Sequence, residues 1–128
     1  MTSSLLYLAL YGLVMIVVIL VQVLTAAQQV GLSVLAGNRE NLVLTGLSGR
    51  LERATNNSLF ALVLVSPAAL MINSSDPANV LTDQLMLTFL VARIAYVALY
   101  ALGIAWLRTA AWLTAFLCTA LLYVEIVL

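Results

Sequence analysis

Apolar positions run without a charged residue from Ser4 to Val30, and about 20 such residues suffice to cross a bilayer as a helix. A cleaved signal peptide wants a basic leader and an apolar stretch of about 7–15 residues. Here no Lys or Arg precedes the run, and Leu5–Val21 is longer than that. The segment is therefore expected to be a retained first helix. Gly31–Ser48 carries Gly31, Gly37, Asn38, Arg39, Glu40, Asn41 and Gly46, which reads as a loop with room for a short interfacial turn.

A second run begins near Gly49, polar at first (Arg50, Glu52, Arg53, Asn56, Asn57) and apolar from Leu59 to Met71, with Pro67 inside it. Proline is tolerated in membrane helices and predicts a local kink. Asn73-Ser74-Ser75-Asp76-Pro77 marks a turn. Asn79 or Thr82 then offers a helix cap, with Asp83 suited to the dipole of the first turn. The third run continues to about Trp106, and Arg108-Thr109 reads as a tight connection to the last span. The pattern predicts an all-α membrane protein, a four-helix transmembrane bundle with helices at about 4–30, 49–72, 79–106 and 109–128. So short a final connection makes helices three and four antiparallel neighbours.

Composition agrees. Of 128 residues, 65% are hydrophobic and 8% charged, with a mean hydropathy of +1.17, where soluble domains carry about 25% charged residues. No two-residue alternation suggests a membrane barrel. Net charge is zero, with five arginines and no lysine or histidine, so no basic run exists to displace phosphate counterions and nucleic acid is not an expected partner. The lone Cys118 has no disulfide partner, and without histidine a Cys/His zinc site is excluded. Arg39, Arg50 and Arg53 fall at the first connection and Arg108 at the last, whereas the middle connection has only Asp76 and Asp83. The positive-inside rule then puts both termini on the non-cytoplasmic side, most simply of a bacterial inner membrane.

Charges inside the spans point to chemistry. An arginine in a membrane helix costs a few kcal/mol unless it faces protein or water. Arg93 lies mid-span, and Tyr100 stands seven residues on, two turns along one face; Tyr96 is close to it. Helix two offers Arg50, Arg53 and Asn57 at helical spacing, with Glu52 and Asn56 on the next strip. Two readings stay open. Either these stripes line a polar pocket whose arginines hold an anion in bidentate fashion, or Arg50 and Arg53 anchor the helix at head-group level and Arg93 pairs with a buried carboxylate or carbonyls. Helix one has Gln22, Thr25 and Gln29 at the same spacing, of which Gln22 and Gln29 read as helix–helix hydrogen-bonding residues rather than ligand contacts. A transporter would rest on Arg93 alone, with no inverted repeat or broken helix pair behind it.

Gly49-Arg50-Leu51-Glu52-Arg53-Ala54-Thr55-Asn56-Asn57 resembles the helix-two signature R-x-x-R-A-x-x-N-x-x-E of the MAPEG superfamily, the membrane-associated proteins in eicosanoid and glutathione metabolism. Arg93 to Tyr100, Gly103 and Leu107-Arg108-Thr109 resemble it too, and the Gly37-Asn38-Arg39-Glu40 loop is similar to its bacterial branch. The resemblance covers essentially the whole chain. It implies a homotrimer of four-helix subunits in membrane lipid, with glutathione as co-substrate bound between subunits near the cytoplasmic face. It further implies a transferase or peroxidase acting on a lipophilic small-molecule electrophile. Carried over by position, Arg53, Asn57, Arg93 and Tyr100 match glutathione-contacting residues, with Arg50 beside them. Arg108 matches a pocket arginine and is the candidate for favouring the thiolate, since a nearby cation lowers a thiol's pKa.

Two departures stand against this. Phe60 occupies the position of the signature glutamate, the expected acceptor for glutathione's amine or for an arginine. The end of helix one, Gln22 to Gln29, has none of the basic residues of the eicosanoid synthases. The competing expectation is a non-catalytic protein of the same fold that binds another anion or a lipid head group.

Overall fold

The computed structural model describes all residues, 1–128. Helix α1 spans Ser3–Val30, the short α2 Leu32–Ala36, α3 Gly46–Ser75, α4 Val80–Ala101 and α5 Ala105–Val127. Four of them, all but α2, are long and apolar enough to cross a membrane. Only 28 of 128 residues are buried, although 65% are hydrophobic. Most of the apolar surface therefore faces outward, as lipid solvation requires and water would not allow.

Helices α3 and α4 form the centre. Each packs on the other, on α1 and on α5, while α1 and α5 do not meet. The apolar core lies toward the end that holds both termini: Tyr11 and Met15 of α1, Val65 to Ile72 of α3, Met86 and Phe89 of α4, and Leu122 of α5. Small residues such as Ala68 and Ala69, fully buried, let the helices approach closely. Tyr11 packs edge-on against Phe89 with ring centroids 5.0 Å apart, a favoured aromatic geometry.

Helix ends follow local chemistry. Asn79, of the two expected candidates, caps α4: its Oδ1 accepts from the Thr82 amide at 2.9 Å. Glu125 of α5 accepts hydrogen bonds from Asn79 and from Thr82 Oγ1. Its carboxylate thus sits at the positive end of α4's dipole rather than burdening its own C-terminus. Helix α3 stays helical through Pro67. Nearby, the Leu62 carbonyl accepts from Ser66 Oγ and the Leu64 carbonyl from Tyr123 Oη, at 2.6 and 2.7 Å. These two carbonyls flank that of Val63, the one that Pro67, having no N–H, leaves without its i→i−4 donor.

Four boundaries depart from the pattern, one of them the start of α5 at Ala105 rather than near Thr109. Helix α3 starts at Gly46 rather than near Gly49 and ends at Ser75 rather than near Ile72. Inside the expected loop, the one-turn α2 is pinned by Leu35 and Leu44 under Ala26. Gln29 is a loop clamp rather than a link between spans: it donates to Thr45 Oγ1 and accepts from the Thr45 amide, at 2.7 and 3.2 Å. The largest shift is in the third helix, which ends at Ala101, not Trp106. Gly103 adopts φ +77°. The Ile104 amide donates to the Leu99 carbonyl at 3.0 Å and the Gly103 amide to the Tyr100 carbonyl at 3.1 Å. That is a Schellman stop, which needs a left-handed residue at the glycine position. The turn is thus Leu102-Gly103-Ile104, and Arg108 lies on α5.

Gly49 marks a close approach at the loop end. A methyl group there would lie 2.6 Å from the Leu44 carbonyl oxygen. Gly49→Ala is expected to destabilise the protein by about 1–3 kcal/mol, read as a lower Tm by circular dichroism in detergent. An unchanged Tm would exclude the contact.

Candidate functional site

The half of the bundle near the loop end is polar where the other half is apolar. Tyr100 organises it from the last turn of α4. Arg53 Nε donates to Tyr100 Oη at 3.1 Å, and the Arg108 guanidinium carbon lies 4.2 Å from the centre of the Tyr100 ring. Three helices thereby converge: α3 supplies Arg53, α4 Tyr100, and α5 Arg108. The Schellman turn causes this. Because α5 begins at Ala105, Arg108 falls in its first turns and faces back toward α4. A cation near a helix N-terminus adds to the positive end of the dipole. The mouth of the site therefore sets the Arg108 charge and the N-terminus of α5 beside the Tyr100 phenol.

Asn57, Tyr96, Tyr100, Arg108, Thr109 and Trp112 line a cavity of about 310 Å³ there. A second cavity, of about 240 Å³, lies next to it between α3 and α5 and over α4. Its lining is mostly apolar: Phe60, Ala61 and Leu64 from α3, Phe89 from α4, Trp112 and Phe116 from α5. Asn57 and Trp112 border both cavities. The two form one groove, cationic at the loop end and apolar toward the middle of the bundle. Trp112 and Phe116 stack with centroids 5.2 Å apart and wall its α5 side.

Arg93 is 1% exposed and borders the apolar cavity, not the Tyr100–Arg108 one. Its Nη2 donates to Asn57 Oδ1 at 3.0 Å and to Ser58 Oγ at 2.8 Å. Its guanidinium carbon lies 4.2 Å from the centre of the Tyr96 ring. These partners are neutral, and the Nε–H is buried without an acceptor. Arg50 has a different task. Its Nε donates to the Ala101 carbonyl at 3.1 Å, capping the end of α4, where free carbonyls favour a cation.

Of the candidate residues, Arg53, Asn57, Tyr100 and Arg108 thus gather at one mouth. Arg93 joins through Asn57, and Arg50 braces the turn behind. The pattern did not reveal Ser58 or Tyr11. Ser58, fully buried, accepts from Arg93 and through its carbonyl from Tyr11 Oη at 2.9 Å. The available signal was a tyrosine deep in an apolar helix, which wants a hydrogen-bond partner. Nor does the pattern single out Trp112, which borders both cavities.

The groove has no acid at the position that resemblance marks. Phe60 is 71% exposed on the outer face of α3 and edges the apolar cavity. Glu52 lines a separate cavity of about 360 Å³ with Gln22, Arg39 and Asn56, against the end of α1. The groove thus suits anionic oxygen or sulfur and offers no carboxylate to an amine.

No curated protein and no solved structure matches the chain. A family model does, that of the MAPEG family, over residues 4–128. Four membrane-capable helices and this near-complete match agree: the chain is a multi-pass membrane protein that belongs to the MAPEG family.

Proposed function

We propose that the chain is a glutathione-dependent transferase or peroxidase acting on lipophilic electrophiles. The observation that carries this reading is the meeting of Tyr100 and Arg108 at one cavity, with Arg53 bonded to the Tyr100 hydroxyl, beside an apolar cavity that shares Asn57 and Trp112 with it. Bound there, glutathione supplies the thiol nucleophile. Arg108, with the N-terminus of α5 behind it, favours the thiolate over the thiol. Arg53 and Asn57 hold the tripeptide's carboxylates and amides; because the Tyr100 oxygen accepts from Arg53, the phenol proton remains free to donate to the tripeptide. The electrophile lies along Leu64, Phe89 and Phe116, within reach of the sulfur at the Asn57–Trp112 waist. By the same resemblance the working unit is a homotrimer in the membrane, with both termini on the non-cytoplasmic side.

Phe60 supports a second reading, a non-catalytic member that holds another anion or a lipid head group in the same groove. Isothermal titration of the purified protein in detergent separates the two. Glutathione is expected to bind with a Kd of millimolar or below, about −4 kcal/mol or better. No binding heat at millimolar glutathione would overturn the enzyme reading and leave the second.

A further inference from the structure

The cavity between α1 and α3 carries charge of both signs, and none of it is paired within the chain. Gln22 comes from α1, Arg39 from the loop after α2, and Glu52 and Asn56 from α3, around a space of about 360 Å³. Arg39 sits at φ +59°, a left-handed backbone that non-glycine residues seldom adopt. Its Nε donates to the Leu35 carbonyl at 2.6 Å, and its two terminal nitrogens donate to nothing. Glu52 accepts no hydrogen bond and forms no ion pair with Arg39, although both line the same space. The side-chain amides of Gln22 and Asn56 are equally without partners there. Polar side chains on membrane helices ordinarily bond across to a neighbouring helix, and these four face a cavity instead.

Depth narrows what could fill it. Helix α3 has 30 residues, about 45 Å at 1.5 Å per residue, which matches a bilayer with its head groups. Glu52 stands six residues after Gly46, about 9 Å inside that thickness, where lipid phosphates meet hydrocarbon. We infer that this cavity binds a zwitterion in which a primary ammonium is joined by a short spacer to a phosphate, the head group of an ethanolamine phospholipid. The ammonium donates to the Glu52 carboxylate and to the amide oxygens of Gln22 and Asn56. The free terminal nitrogens of Arg39 donate to the phosphate, a charge-assisted contact at each end.

The lining also says which head groups are refused. A quaternary ammonium has no N–H to give and is held by aromatic faces, and no aromatic ring lines this cavity. A glycerol head group brings the phosphate for Arg39 but sets a net negative charge near Glu52 with no ammonium between them. The site shares no residue with the Tyr100–Arg108 cavity or the apolar cavity beside it. It therefore stands apart from the thiol chemistry, and its test contains no glutathione.

The full chain in a non-ionic detergent is titrated with ethanolamine, choline and glycerol phospholipids of identical acyl chains, and bound lipid is counted by native mass spectrometry. The first ethanolamine lipid is expected to bind about tenfold tighter than either of the others, about 1.4 kcal/mol. Glu52→Gln, at an exposed position, is expected to bring the ethanolamine lipid down to the level of the choline lipid. Arg39→Gln is expected to weaken both about tenfold, because both carry the phosphate. Water-soluble glycerophosphoethanolamine separates the two sources of the same chemistry. If it displaces the lipid at equal concentration, the ligand is a soluble head group; if the lipid stays bound, the ligand is the membrane's own. Equal affinity for all three lipids, or an ethanolamine preference that survives Glu52→Gln, would overturn the assignment. Should Glu52→Gln fail to fold, the comparison of head groups on the parent protein together with Arg39→Gln decides it: unchanged binding in Arg39→Gln would place the lipid elsewhere.

Discussion

Arg108→Ala is expected to lower glutathione-dependent turnover of a lipophilic aryl halide about 10²–10³-fold, the usual range for losing one preorganised stabiliser of a reacting anion. Arg108 sits over the Tyr100 ring at the start of α5, so its charge and the helix dipole act on the same small volume. Removing it raises the bound thiol's pKa toward the free value of about 8.5. The sign follows: less thiolate at neutral pH and a rate profile displaced toward alkali, with activity partly regained as pH rises. Arg108→Lys keeps a charge but not the flat guanidinium on the ring, and falls between the two. Rates measured from pH 6 to 10, on protein shown to be folded by gel filtration and circular dichroism, check this. An alanine variant with parental rate and profile would remove Arg108 from the reaction.

The second large effect runs the other way. Phe60→Glu is expected to tighten glutathione binding about 10–100-fold, the value of one charge-assisted hydrogen bond of about 1.5–3 kcal/mol. The new carboxylate stands one turn beyond Asn57 on the same helix face, at the edge of the groove, where it can accept from the tripeptide's amine. It also comes within the cavity that Arg93 borders and offers that guanidinium a partner inside the chain. Titration calorimetry with glutathione reads the effect. Affinity that does not rise shows that the missing acid was not limiting.

Much of this architecture was legible before any coordinates. Long uncharged runs leave a short chain few options but to span a bilayer, and Asn79 and Asp83 announce a helix start by chemistry. The third helix shows where such reading fails. From Tyr96 to Leu107 no charged residue interrupts the sequence, so hydropathy saw one span up to the polar pair Arg108-Thr109. The actual stop is conformational: Gly103 at φ +77° ends the helix by backbone geometry, which a hydropathy count does not register. That displacement decides where Arg108 points. Arg53, Asn57 and Tyr100 were visible through spacing because helices α3 and α4 are regular where they lie. Ser58 and Tyr11 were not, since a serine inside an apolar run acquires meaning only when another helix brings a donor to it.

The groove's open side has a kinetic consequence. Phe60 and Phe116 are exposed on α3 and α5, so under the proposed function an apolar substrate is expected to arrive sideways out of the hydrocarbon and not through water. At about 0.8 kcal/mol for each methylene transferred, a long-chain compound is almost wholly dissolved in the bilayer, and occupancy follows its mole fraction among lipids. Adding inert lipid at fixed total ligand should therefore lower the rate, whereas adding water should barely change it. An apparent KM quoted per litre would track the amount of membrane in the tube as much as the protein itself.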